Sequence, residues 1–347
     1  MQFKPVKLKL SLVAPILLIL MAIGSFAGSW AGWFPARLVE DWYATSLFPR
    51  LSATMAVIAD AVGFSWLDIA ILTAVPLLID FLYRRRFLTF GAMVAGGYLF
   101  FFWTWGLNYH RQPLISKLDF AAEQVTPDSV SDLGRDAARE LNRLYQRKEA
   151  SDYDEELVRG VANERVRQVV EELDGTTWAT SPRVKTSRLL NPFFRAAGVE
   201  GMFNPFGHEA LVTSGLLPLE RPMILAHEIA HVRGYPNEGD ANFVALMASI
   251  NSSDDAFAYS GWLYLWAYLR SEELDQLLDE GPMGDLSAIS LRRRRSRVAW
   301  ISRAQTRTLD VFLKANRVEG GVRSYARIVN LAVGTRDSWD RFGERAP

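Results

Sequence analysis

The sequence predicts a mainly α-helical protein with a small β-sheet, its polar part attached to an N-terminal bundle of three transmembrane helices. Two observations carry this. The long uncharged runs fall in the first third of the 347 residues, and beyond residue 107 the apolar residues recur mostly at helical spacing. The exception lies between Pro182 and Gly215, where short apolar runs broken by Gly, Pro and Asn read as strands, HEALVTSG (208–215) most clearly.

Taken in order, Leu10 to Phe34 carries no charge and exceeds the roughly 20 helical residues that cross a hydrocarbon core. Ser25-Phe26-Ala27 could serve a signal peptidase, but the run outlasts a usual signal core of about 7 to 15 residues, so an uncleaved span is expected. Trp66 to Tyr83, with Asp68 and Asp80 near its ends, and the charge-free Phe87 to Leu107 supply the second and third spans. Leu51 to Phe64 has 14 residues and contains Asp60, which suits an interfacial or re-entrant helix better than a span. Lys4, Lys7 and Lys9 precede the first span and Arg84 to Arg86 separate the second from the third. The positive-inside rule then places both clusters in the cytoplasm and residues 108–347 outside it. The expected division is a membrane domain over 1–107 and an extracytoplasmic domain over 108–347.

In the polar part, Thr126 caps a helix that Pro127 opens, and the run from Asp154 keeps helical spacing until Gly175 stops it. SGWLYLWAYLR (260–270) is aromatic but has only 11 residues, so it packs and does not span. The five arginines of Arg292 to Arg297 would spread around a helix and read as a solvated face, with lipid headgroups as a lesser alternative. Lys+Arg and Asp+Glu are both 39, which gives no pull toward nucleic acid. The absence of cysteine removes disulfides, thiolate-held metals and cysteine nucleophiles. A metal here must be held by histidine and carboxylate.

Two of the four histidines stand in HEIAH. With Pro222 near its start and Gly234 as its stop, PMILAHEIAHVR predicts a helix of about three turns. His227 and His231, four apart, share one face and can share one cation. Glu228 sits beside them, where it can deprotonate a water and need not be a ligand. A third ligand has to come from beyond the helix. Asn237 followed by Asp240 suggests a capping box opening a second helix, which puts Glu238 in its first turn. Asp240 lies nearly opposite, and Asn237 offers only a neutral amide, so the order of preference is Glu238, Asp240, Asn237.

HEIAH with Glu238, Ala241 and Asn242 resembles the HExxH plus ExxA[DN] signature of gluzincin metallopeptidases, which include the membrane-embedded prenyl-protease type. The resemblance implies an α+β zincin-like domain, zinc on His227, His231 and Glu238, and Asn242 orienting a ligand histidine. It also implies that the strand before the metal helix lines the cleft. Phe203 to Leu211 is then the cleft wall, with Phe203, Asn204 and Pro205 as substrate contacts. WGLNYHRQPL, GMFNPFGHEALV, DANF and DVFLKANRVEGGVRSY occur here in the order that is similar to a bacterial membrane family catalogued as domain of unknown function 3810. Tyr325 in the last run is the candidate donor to an oxyanion. His208 and His110 are expected to be structural.

The expected function is that of a multi-pass zinc metallopeptidase of the bacterial cell membrane. Glu228 is its general base, and its partners are a peptide or protein substrate in the cell envelope and membrane lipid, not nucleic acid. The alternative is a non-proteolytic zinc-containing membrane receptor or envelope assembly factor. That reading leaves Glu228 without a task.

Overall fold

The computed structural model describes residues 10–148, 153–179, 182–318 and 327–343. Three helices, α1 (Leu10–Trp30), α3 (Trp66–Tyr83) and α4 (Phe87–Thr104), are long and apolar enough to cross a membrane. α1 packs along α4, and side chains such as Leu20, Ile23, Leu72 and Ile79 stay more than half exposed. Such surfaces suit lipid, not water.

Between α1 and α3, residues 36–60 form one continuous helix, α2, whose Val39–Leu47 portion is wound as a π-helix. It begins at Ala36, well before the expected interfacial segment at Leu51, and it lies on the polar part of the protein. Phe48 packs on Trp178 with ring centroids 5.9 Å apart, and Ser52 Oγ meets His208 Nε2 at 2.7 Å. The π winding explains the missed start, because its i→i+5 bonds shift the buried positions away from a 3.6-residue period.

The polar part is built from α5 (Pro127–Tyr145), α6 (Glu155–Asp174), α7 (Asn191–Ala197), α8 (Arg221–Val232), α9 (Glu238–Ile250), α10 (Asp255–Leu269), α11 (Glu272–Asp275), α12 (Glu280–Ser296), α13 (Ala299–Ala315) and α14 (Arg327–Gly334). Local chemistry sets the ends as expected. Thr126 Oγ1 accepts from Ser129 N to cap α5, and Gly175 ends α6 at φ +64°. α10 holds the aromatic run, with Trp262 and Trp266 buried, as packing and not as a span.

Strand β3 (Glu209–Val212) is central in a three-stranded sheet, parallel to β1 (Val184–Lys185) and antiparallel to β2 (Gly201–Asn204). The fold is thus the mainly helical one with a small sheet. α8 runs through its middle, in contact with β2 and β3 and with α6, α9 and α10, and every residue from Pro222 to Val232 is buried.

Composition changes near residue 108, yet buried polar contacts cross that point. Glu40 pairs with Arg111 at 2.7 Å and with Lys117, and Glu209 accepts from Ser65 Oγ at 3.1 Å and from the Trp66 amide at 2.8 Å. The arginine run also differs from a plain solvated face. Arg292 binds Glu200 and Glu220, and Arg293 binds Glu200 at 3.0 Å, so α12 is tied to the approaches of β2 and α8. The acids are more than 70 residues away in sequence, out of reach of any local pattern.

Candidate metal centre

His227 and His231 project from one face of α8 with their Nε2 atoms 3.1 Å apart. Glu238, the first residue of α9, brings Oε2 to 3.1 Å from His227 Nε2 and 3.3 Å from His231 Nε2. The turn between the helices makes this possible. Gly234 adopts φ +83°, and a Cβ there would press on Phe48 and on Asn108 Oδ1, so glycine is required by both conformation and space. Asn237 then caps α9, its Oδ1 accepting from Gly239 N at 2.9 Å.

The triangle fits a metal ion. Tetrahedral ligands about 2.0 to 2.1 Å from zinc are separated by about 3.3 Å, which is the spacing of these three atoms. The donors are two imidazole nitrogens and a carboxylate oxygen, a set that suits zinc among other divalent ions. His231 is also prepared for ligation: its Nδ1–H donates to the Tyr235 carbonyl at 2.6 Å, which leaves the Nε2 lone pair facing the others. Burial opposes charge on His231 and Glu238. The Glu238 carboxylate nevertheless raises His231 to about 9, and the two histidines hold Glu238 well below the usual carboxylate range.

Glu228 is buried next to this triangle. Burial pushes it up to about 7, and its Oε2 has no hydrogen-bond partner among the described residues. Gly201 in β2 lies against it, and a Cβ there would overlap the carboxylate and Cγ. Sequence reasoning missed Gly201, because its need for no side chain arises only from a contact across the fold.

Other expected residues fall differently. Asp240 takes no part in a capping box; it faces away, 3.4 Å from Arg327, with burial pushing it up to about 6. Asn242, expected to orient a ligand histidine, accepts instead from the Tyr264 hydroxyl at 2.9 Å. Its Nδ2 and the Nδ1 of His227 are both without a hydrogen-bond partner among the described residues. Tyr325 lies outside the described residues. His208 is buried at φ +51° against Ser52, and His110 meets Ser29 Oγ at 3.0 Å, so both are structural.

A cavity of about 1490 Å³ opens beside the metal group and includes His227, Glu228, His231 and Glu238 in its wall. Phe203 and Pro205 line it, whereas Asn204 is buried and donates through Nδ2 to Glu209 at 3.0 Å. The Phe203 to Leu211 stretch is not one strand but the end of β2, a turn and the start of β3. β3 is paired on both sides, so a peptide adding to the sheet has only an outer strand to join, and β2 is the one that reaches the cavity. Tyr109 also lines it, close enough to Glu238 that this carboxylate adds to the effect of burial in raising its hydroxyl.

The chain belongs to the family described as Protein of unknown function (DUF3810), whose model matches residues 43–333. No curated protein and no solved structure matches it.

Proposed function

We propose that this member of the family is a membrane-anchored, zinc-dependent peptidase of gluzincin type that hydrolyses peptide bonds of a substrate in the bacterial cell envelope. The observation that carries this reading is Glu228: a buried carboxylate with an unpartnered oxygen, beside a His-His-Glu triangle, in the wall of a large cavity. A site that only stored or sensed an ion would have no use for it. Buried carboxylates without partners are expensive to keep, and they gather where proton transfer is needed.

His227, His231 and Glu238 would hold the zinc, which when bound polarises a carbonyl and makes a water more acidic. Glu228 would accept a proton from the attacking water at a carboxylate oxygen and pass it to the leaving amine, a task that its unpartnered Oε2 in the cavity wall suits. The outer edge of β2 receives the extended peptide, with Phe203 and Pro205 beneath it. Tyr109 takes the role first sought at Tyr325, donating its hydroxyl to the developing oxyanion. The basic clusters before α1 and after α3 support an extracytoplasmic site.

The experiment is a comparison of envelope proteomes from cells carrying wild type and Glu228→Gln. Accumulation of an uncut protein or peptide in the variant is expected. Identical proteomes with the biological role preserved would favour a receptor or assembly factor.

A further inference from the structure

The cavity does not end at the sheet. From the metal group it continues onto α4, where Val94, Gly97, Tyr98 and Phe101 line it, and onto α1 through Phe26. Spacings of three and four residues put the α4 positions on one helix face. Val94 lies ten residues before Thr104, the last of α4, so the cavity follows this helix for about 15 Å. Trp30 and Trp103, both about half exposed at the ends of α1 and α4, occupy the level where tryptophans mark the edge of a bilayer. One continuous space therefore joins the metal group, on the polar side of that level, to a trough along a membrane helix. α13 roofs it with Ile301, Leu309 and Phe312, while Trp300 at its start is two-thirds exposed and still lines the cavity.

We propose that the substrate is an acylated peptide, whose long hydrocarbon chain lies in the trough along α4 while its peptide portion meets the metal group. This rests on the peptidase reading for the peptide portion only. The trough favours a hydrocarbon chain over polypeptide on physical grounds. Its α4 face offers one polar side-chain atom, the Tyr98 hydroxyl, and the polar side chains of the roof, Gln305, Thr306 and Thr308, come from α13, so an extended peptide would leave the amides and carbonyls on its α4 side unpaired. A helical segment would bond its own backbone but would have to unwind before its chain could pair with β2. An acyl chain meets neither penalty, and anchoring it would place the attached peptide at the metal group from within the bilayer.

Gly97 provides the test. It lines the trough, and a Cβ there meets nothing within 4 Å, so the Cβ of Gly97→Leu is accommodated and the rest of its side chain extends into the trough. Gly96 is equally open but is not part of the cavity wall, and Gly96→Leu is the control. The probe is a short peptide N-acylated with a fatty chain bearing a terminal diazirine, photolysed with zinc-loaded Glu228→Gln protein in phosphatidylcholine nanodiscs and mapped by mass spectrometry.

Labelling is expected between Val94 and Phe102, and it should fall about tenfold in Gly97→Leu, the effect of displacing about two buried methylenes. It should hold steady in Gly96→Leu. Zinc content and unfolding temperature, measured alongside, verify that Gly97→Leu is folded. Equal labelling in both glycine variants would overturn the proposal. So would equal labelling of these residues by a phosphatidylcholine carrying the same diazirine, which would make the trough a lipid seat. Cleavage of unacylated peptides by wild type with no labelling of α4 would sink this inference alone. Labelling as expected, with no acylated or free peptide ever cut, would sink the peptidase reading alone.

Discussion

The indole N–H of Trp105 donates to the backbone carbonyl of His231 at 3.1 Å, joining the end of a membrane helix to the helix that carries two metal-site histidines. The same ring lies 5.0 Å from that of Phe203 in β2. Trp105→Phe keeps an aromatic ring in place and removes the donor. The His231 carbonyl still accepts from Gly234 N at 3.0 Å, so the expected loss is modest, about 0.5 to 1.5 kcal/mol of stability with zinc content unchanged. Denaturant titration in detergent, with zinc measured on the same samples, checks both. A loss of zinc would show that the bond also positions the ligand.

Behind His231 stands a buried ionic network. Tyr235, whose carbonyl orients His231, donates its hydroxyl to Asp174 at 2.8 Å, and Asp174 also binds Arg111 at 2.9 Å and Lys117 at 2.7 Å. Burial alone would raise Asp174, but the two cations hold it below its ordinary range. Asp174→Asn leaves these cations with Glu40 as their one carboxylate partner among the described residues and should destabilise the protein by about 3 to 5 kcal/mol. Asp41→Asn, exposed on α2, should change stability by less than about 0.5 kcal/mol. Equal midpoints for the two variants in urea would contradict this account.

His208 and His110 make stability depend on acid. Burial lowers each to about 4 from an ordinary 6.5, with Arg317 adding to the effect at His110. At these two sites the folded state therefore binds fewer protons than the unfolded state between these values, whereas Glu228 and Asp240, which burial raises, act in the opposite sense. The contribution of the two histidines is full above about pH 6.5 and declines as pH falls toward 4, at up to about 1.4 kcal/mol per pH unit for each. His208→Asn tolerates the left-handed backbone at this position and does not titrate. The difference in stability between His208→Asn and wild type should shift in favour of the variant as pH falls from about 6.5 toward 4, and parallel pH profiles would refute the assignment.

Much of the site was legible because it is local. His227, Glu228 and His231 share one helix, and Glu238 follows across a turn that Gly234 and Asn237 announce. The spans were legible because lipid demands length and an absence of charge. What stayed hidden depends on distant partners. Asn204 looks like a substrate contact from its neighbours in sequence, but its amide donates to Glu209, and Asn242 accepts the Tyr264 hydroxyl through its oxygen. Gly201, Tyr109 and Arg111 lie in family-like runs that assign them no role, and they matter through what the fold places against them. The π winding of α2 erased the one periodic signal that could have revealed its beginning.

The sharpest prediction separates the acids around the histidines. Purified protein should carry about one zinc per chain, and His227→Ala, His231→Ala and Glu238→Ala should each lose most of it, because two remaining ligands rarely hold the ion tightly. Asp240→Ala should keep the zinc. Its effect is on stability, about 1 to 3 kcal/mol, since it removes the buried acid beside Arg327. Glu228→Gln should keep the zinc and abolish turnover, because it removes a proton acceptor and leaves all three donor atoms in place. Elemental analysis of the five variants separates the ligands from the other two acids, and a urea midpoint and a turnover assay on the same samples separate Asp240→Ala from Glu228→Gln. If Asp240→Ala stripped the metal while Glu238→Ala retained it, the triangle of His227, His231 and Glu238 would not be the binding site, and an aspartate-liganded centre would have to replace it.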